Sequence, residues 1–167
     1  MKNKMTWAGV GPRLALITLP YIILALVLMI KEPKFLVMNF LNEIVAGIIG
    51  YLLLFVGLVF YKISAKTFFQ GFKKEELITN GTYRLCRNPI YATFIIFIIP
   101  ALALIFKSGI ILSIDMALYV NFKVLIREEY INLRNNFGEE YDRYEKIVNE
   151  ILPIPKFGLK IKAQITI

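Results

Sequence analysis

The stretch Gly81-Thr82-Tyr83-Arg84-Leu85-Cys86-Arg87-Asn88-Pro89-Ile90-Tyr91 gathers the residues best suited to chemistry. Arg84 and Arg87 stand directly before a long apolar run, where a cation calls for an anionic partner or a headgroup. Asn88-Pro89 reads as a helix start, with Asn at the N-cap and Pro at the first helical position. The unpaired N–H groups of a helix N-terminus suit a carboxylate or a phosphate. The turn is therefore the first place to look for a site.

The chain has no histidine, which removes the commonest general base and the commonest metal ligand, so no metal site is expected. Its one cysteine, Cys86, cannot form a disulfide within the chain and receives no role. Acids remain. Glu128 and Glu129 are adjacent at the end of an apolar run, and two readings stay open for them. One is a solvated helix terminus neutralised by Arg127 and Lys123. The other is a carboxylate that holds the amino group or ribose hydroxyls of a cationic small molecule.

The elements that must position these groups are membrane-like. Of 167 residues 57% are hydrophobic, the mean hydropathy is +0.62 and the formal net charge is +8, whereas soluble domains run nearer 45–50% apolar. Four segments approach the roughly 20 residues that span a bilayer, at 14–30, 44–61, 90–106 and 110–126. Pro20 and Pro100 fall inside the first and third, and a kink at Pro100 would open space between helices. Only Lys107-Ser108-Gly109 separates the third from the fourth, which predicts a tight antiparallel hairpin. The fold class is thus an all-α integral membrane protein with about four transmembrane helices, a fifth short one being allowed. Lys2 and Lys4 before the first run could mimic a secretory signal, but no small-residue cleavage site follows, so a retained span is expected.

Lysine and arginine crowd one side: Lys2, Lys4 and Arg13, the middle loop from Lys62 to Arg87, and the chain from Lys123 onward. The other side holds Lys31, Lys34 and Lys107. The positive-inside rule then predicts both termini and the turn at 81–91 in the cytoplasm. Basic residues that bracket spans argue against nucleic-acid binding; Lys62, Lys66, Lys73 and Lys74 obey the topology rule and could gather anionic lipids. Asn39, Asn42 and Glu43 stand where they could cap the second helix or meet lipid headgroups.

After the fourth span, Leu133, Phe137, Tyr141, Tyr144, Val148 and Ile151 recur at three- and four-residue steps. Glu139–Arg143 and Asp142–Lys146 are spaced for ion pairs on the opposite face. This predicts a C-terminal amphipathic helix, broken at Gly138 and ended by Pro153 and Pro155. Asp115 lies mid-span, a functional candidate by default, and shares one face with Tyr119 and Lys123 at i, i+4 and i+8. A structural Asp–Lys contact between spans is an equal alternative.

Gly81-x-Tyr83-x-x-x-Arg87-Asn88-Pro89-x-Tyr91, a helical hairpin, then Glu128-Glu129-x-x-x-Leu133-x-x-x-Phe137-Gly138-Glu139-Glu140-Tyr141-x-x-Tyr144 resembles the isoprenylcysteine carboxyl methyltransferase family. The wider group includes the membrane phospholipid methyltransferases. The resemblance covers 77–155, the cofactor-binding motif region of a single domain over 1–167, while 1–76 matches only in being apolar. It implies S-adenosylmethionine-dependent methyl transfer to a lipophilic acceptor, with a cytoplasm-facing cofactor pocket and no metal. Carried over by position, Tyr83, Arg87, Asn88, Pro89, Tyr91, Glu128 and Glu129 would bind the cofactor, and Lys123 would face the acceptor. One departure stands out: the family usually has His where this chain has Asn88, which keeps a donor and an acceptor but cannot titrate.

A carboxylate acceptor needs no deprotonation, whereas an amine must lose a proton, for which Asp115, Glu128 and Glu129 are the available acceptors. Prenylcysteine carboxylate, a phospholipid amine, a small thiol and a quinone-like lipid all remain open as acceptors. Membrane sterol reductases, which share a similar C-terminal motif with NADPH as cofactor but are usually much longer, are the alternative enzyme class. A non-catalytic membrane scaffold or transporter is the alternative outside enzymology.

Overall fold

The computed structural model describes residues 9–32, 35–39, 42–154 and 156. Lys2, Lys4, Pro33, Lys34, Pro155 and the tail after Lys156, on which part of the charge and boundary reading rests, lie outside the described residues. The described chain is helical, with two isolated bridges and no strands.

Helix α1 (Gly11–Lys31), α2 (Glu43–Phe72) and α5 (Gly109–Phe137) are each long and apolar enough to cross a membrane. A shorter apolar helix, Pro89–Ile105, lies between α2 and α5. It is built of three pieces: α3 (Pro89–Ala92), a π-helical turn over Thr93–Ile98, and α4 (Ile99–Ile105). Pro100 has no N–H to give the helix, and the wider turn before it absorbs that break where a plain kink was expected. Large side chains such as Leu16, Ile30, Ile44 and Phe55 stand exposed along α1 and α2. In water such faces would be costly; against lipid they cost nothing. The protein is an all-α membrane protein.

Along α2, what holds the neighbouring helices is close approach rather than bulk. On α2 the buried residues are Ala46, Gly50, Gly57 and Ser64, a row of small side chains. A Cβ on Gly50 would lie 2.7 Å from Ile105 Cγ1 and 3.0 Å from the Ala101 carbonyl oxygen, and one on Gly57 would lie 2.7 Å from Phe97 Cβ. In lipid no hydrophobic force drives helices together, so this contact between backbones carries the packing. Polar pairs fix the remaining registers: Ser64 Oγ donates to Thr82 Oγ1 at 2.9 Å, and Asn121 Nδ2 donates to Thr18 Oγ1 at 3.1 Å.

Caps set the boundaries. The Asn42 side chain accepts from the amide of Ile44 at 2.9 Å, as its position predicts. The hairpin between α4 and α5 turns at Lys107-Ser108, and Ser108 Oγ caps α5 from the Ile111 amide at 3.4 Å. The amphipathic stretch divides differently from expectation. Residues 127–137 continue α5, and only Glu139–Ile147 forms a separate helix, α6. Gly138 makes the break with φ +52 and ψ −126, a conformation that side-chain-bearing residues avoid. Helix α6 ends at Ile147, well before Pro153, because Val148 turns extended and the chain runs back along the 81–88 turn. Asp142 pairs with Arg134 at 2.7 Å across the break, while Glu139–Arg143 is a loose exposed pair at 3.8 Å.

Candidate functional site

The Gly81–Arg84 turn is a single 3₁₀ turn, stapled from outside: the Tyr144 hydroxyl donates to the Tyr83 carbonyl at 2.6 Å. The amides of Arg87 and Asn88 donate to the carbonyls of Asn149 (2.8 Å) and Glu150 (3.1 Å). The two amides just ahead of the helix start are therefore spent on the chain's own C-terminal segment. Asn88 occupies the N-cap position but makes no capping bond. Its Nδ2 donates instead to the Tyr130 hydroxyl at 2.6 Å and to the Glu150 carbonyl at 3.0 Å.

Above this turn opens a cleft with about 890 Å³ of atom-free space, its mouth included, within the range of small-molecule sites. Tyr83, Arg87, Asn88, Tyr91 and Glu129 all line it. The motif at 81–91 and one acid of the pair, Glu129, thus meet, although α5 begins a whole hairpin later in the chain. Of the other sequence-derived candidates, Pro89 is fully buried beneath the turn rather than in the wall. Glu128 faces away and pairs with Arg13 at 2.8 Å, its side chain 63% exposed. Successive helical residues point about 100° apart, so two adjacent acids cannot both enter one cleft. Lys123 does not line the cleft; its Nζ donates to Glu150 Oε2 at 2.6 Å. Asp115 lies about 21 Å along α5 from Glu129, at ~1.5 Å per residue. Its buried Oδ1 has no hydrogen-bond partner among the described residues.

Arg87 is the most constrained group at the site. Its side chain is only 10% exposed. Nη1 donates to Glu145 Oε1 and to the Tyr141 hydroxyl, and the guanidinium lies 4.8 Å from the Tyr130 ring centre. Burial works against its charge, but Tyr130, Glu145 and Tyr141 outweigh it and raise the pKa further. The Nε–H, buried, has no partner among the described residues. An unsatisfied buried donor on a charged group is costly and asks for a ligand.

Glu129 provides the opposite charge. Its Oε2 accepts the Val10 amide at 3.3 Å, and Gly9 approaches so closely that a Cβ there would lie 2.8 Å from the same oxygen. Gly9 also has φ +52, so a side chain there would be strained as well as crowded. The N-terminal start of α1 therefore closes the cleft, and Phe68 and Glu76 line it too. Residues before 77 thus share in the cleft. Burial holds the phenols of Tyr83 and Tyr144 well above the usual range, so both stay neutral donors.

Sequence reasoning did not single out Tyr130, Glu145, Glu150, Gly9 or Glu76. For Glu145 a signal existed: Asp142 and Glu145 are acids three apart on one helical face, spaced to meet a single cation. They meet Arg134, whose Nη2 donates to Glu145 Oε2 at 2.5 Å.

A buried arginine with a spare donor, a carboxylate in the same cleft and tyrosine walls make a site for a zwitterionic or cationic small molecule. The fold and this cleft define a polytopic membrane protein with a largely apolar pocket, carrying a few charged groups, at one end of its bundle. The profile of the phospholipid methyltransferase family matches residues 43–140. The chain belongs to that family. It is also 28% identical over 114 residues to a "Probable protein-S-isoprenylcysteine O-methyltransferase" of Oryza sativa subsp. indica, and equally to one of subsp. japonica. The matched stretch covers 63% of this chain and 60% of each relative, so the chain spans about three fifths of the relatives' length. No solved structure matches the chain.

Proposed function

We propose that the protein is an S-adenosylmethionine-dependent methyltransferase acting on a lipophilic acceptor at the membrane interface, with 1–167 as one methyltransferase domain. The observation that carries this reading is that Arg87, whose buried Nε has no partner among the described residues, lines the same cleft as Glu129. Together they fit the carboxylate and the cationic amino-acid end of the cofactor. Membership of the phospholipid methyltransferase family supports it.

When bound, S-adenosylmethionine supplies a methyl group already activated on a sulfonium. Arg87 binds the carboxylate through Nε–H, and Glu129 accepts from the amino group or the ribose hydroxyls. Tyr83, Tyr91 and Tyr130 present aromatic surface to the cation and keep water out. Orientation of this kind can supply on the order of 7–11 kcal/mol, so a histidine-free site suffices. The acceptor enters from the bilayer side, and the cleft, with both chain termini, faces the cytoplasm as the lysine and arginine bias supports.

The relatives' name favours a prenylated cysteine carboxylate as acceptor. A lipid amine is the second reading. It is favoured by Glu76 lining the same cleft as Glu129, since two acids suit a cation and can take its proton. Lys123, Asp115 and Glu128, placed outside the cleft wall, would act on the acceptor only if it extends along α5.

Calorimetry of the detergent-purified chain with S-adenosylhomocysteine, and separately with NADPH, tests the cofactor. Binding of the first is expected; absence of it, or binding of NADPH instead, would sink the reading. Methyl transfer from labelled cofactor to a farnesylcysteine and to an aminophospholipid then separates the two acceptors.

A further inference from the structure

Glu145 lies outside every motif that pointed to the site, yet it sits behind the residue on which the site depends. One carboxylate oxygen receives Arg87 Nη1. The other receives Arg134 Nη2 at 2.5 Å, and the Glu145 carbonyl accepts Lys156 Nζ at 2.8 Å. The carboxylate is thus shared, one oxygen to Arg87 and the other to Arg134. Arg87 in turn is held in its plane by the Tyr130 ring and along one edge by Glu145 and the Tyr141 hydroxyl. A guanidinium is a rigid planar fork, so fixing Nη1 and the ring plane also fixes the direction of Nε–H.

We infer that Glu145 is a positioning residue: by holding Nη1 of Arg87 it aims the buried Nε–H at the carboxylate of the ligand in the cleft. This rests on the reading of the cleft as a cofactor site. Glu145 touches no ligand itself. It acts through Arg87 alone, so its loss weakens the grip on the ligand's carboxylate and leaves the rest of the ligand's contacts in place.

The test compares S-adenosylhomocysteine with its decarboxylated analogue, by calorimetry on the full chain in detergent. The wild type is expected to bind the parent at least tenfold more tightly than the analogue. In Glu145→Gln the parent is expected to lose about that factor while the analogue keeps its affinity, so the ratio falls toward one. Arg134→Gln also strips a partner from Glu145 but leaves Arg87 paired; it is expected to lower the thermal midpoint and keep the ratio. Glu145→Asp, which retains the charge on a shorter stem, is expected to give an intermediate ratio and serves where Glu145→Gln does not fold. An unchanged ratio in Glu145→Gln or Glu145→Asp, or a parallel loss of both ligands, overturns the inference and leaves the cofactor reading standing. A wild type that binds neither ligand overturns both.

Discussion

Asn88 Nδ2 donates to the Tyr130 hydroxyl at 2.6 Å, joining the turn before the third apolar helix to the last third of α5. The same amide reaches the Glu150 carbonyl at 3.0 Å, and the Tyr130 hydroxyl in turn donates a hydrogen bond to Glu150 Oε1 at 3.1 Å. Lys123 completes the cluster through Glu150. Where the resemblance leads one to expect a histidine, this chain has a neutral amide that ties three segments together without needing to titrate. Asn88→Ala would take from the Tyr130 hydroxyl its donor and from the Glu150 carbonyl one of its two donors, the backbone amide remaining, at a cost of about 1–3 kcal/mol. A thermal midpoint lowered by several degrees in detergent is the expected result, and an unchanged one would show the cluster to be dispensable.

The two neighbouring acids are expected to behave differently. Glu129 lines the cleft, while Glu128 pairs with Arg13 in an exposed position, where such pairs contribute about 0–1 kcal/mol. Glu129→Gln should weaken S-adenosylhomocysteine binding tenfold or more, since a charge-assisted contact is lost. Glu128→Gln should shift it less than threefold. Titration calorimetry of the two variants side by side checks this, and equal losses would mean that the cleft assignment of Glu129 is wrong.

Helix packing gives a prediction independent of ligand. Gly50→Ala places a methyl 2.7 Å from Ile105 Cγ1 and 3.0 Å from the Ala101 carbonyl oxygen, of which the carbonyl belongs to rigid helical backbone. Overpacking of this kind costs about 1–3 kcal/mol. Gly47→Ala, three residues earlier on α2 in open space, should cost nothing and gain slightly in helix propensity. Unfolding by a denaturing detergent series should rank the two variants on opposite sides of the wild type.

Cys86 is fully buried, and burial pushes its thiol from 9.0 up to about 12, against a smaller opposing hydrogen bond at Asn88. A raised folded pKa means the native state holds this proton more tightly than the unfolded chain. The contribution is therefore complete below about pH 9 and is lost as pH rises from there toward 12. Stability is expected to decline over that alkaline window and more steeply than in Cys86→Ser. Maleimide should fail to label native protein at pH 8 and label it fully once denatured, because only an exposed thiolate reacts.

Much of the architecture is legible in the residues themselves, because spanning a bilayer depends on apolar content summed along a local segment. The four apolar runs, the hairpin at Lys107-Ser108-Gly109 and the break at Gly138 all follow from local composition or backbone freedom. The exact form of the third run does not. Pro100 signals a disturbance, but whether a kink or a π turn absorbs it depends on how closely α2 packs beside it.

By itself the sequence determined that two cationic residues and two acids flank a membrane hairpin, and that any site between them must work without histidine. It left open which acid turns inward and which partner neutralises Arg87. Tertiary structure decided both. The rotation of α5 about its axis puts Glu129 in the cleft and Glu128 outside it. The fold-back at Gly138 carries Glu145 to Arg87 from 58 residues away along the chain. Local composition fixes which residues enter the membrane, because transfer free energy is additive. Pairing across the bundle depends on helix phase and register, and only packing sets these.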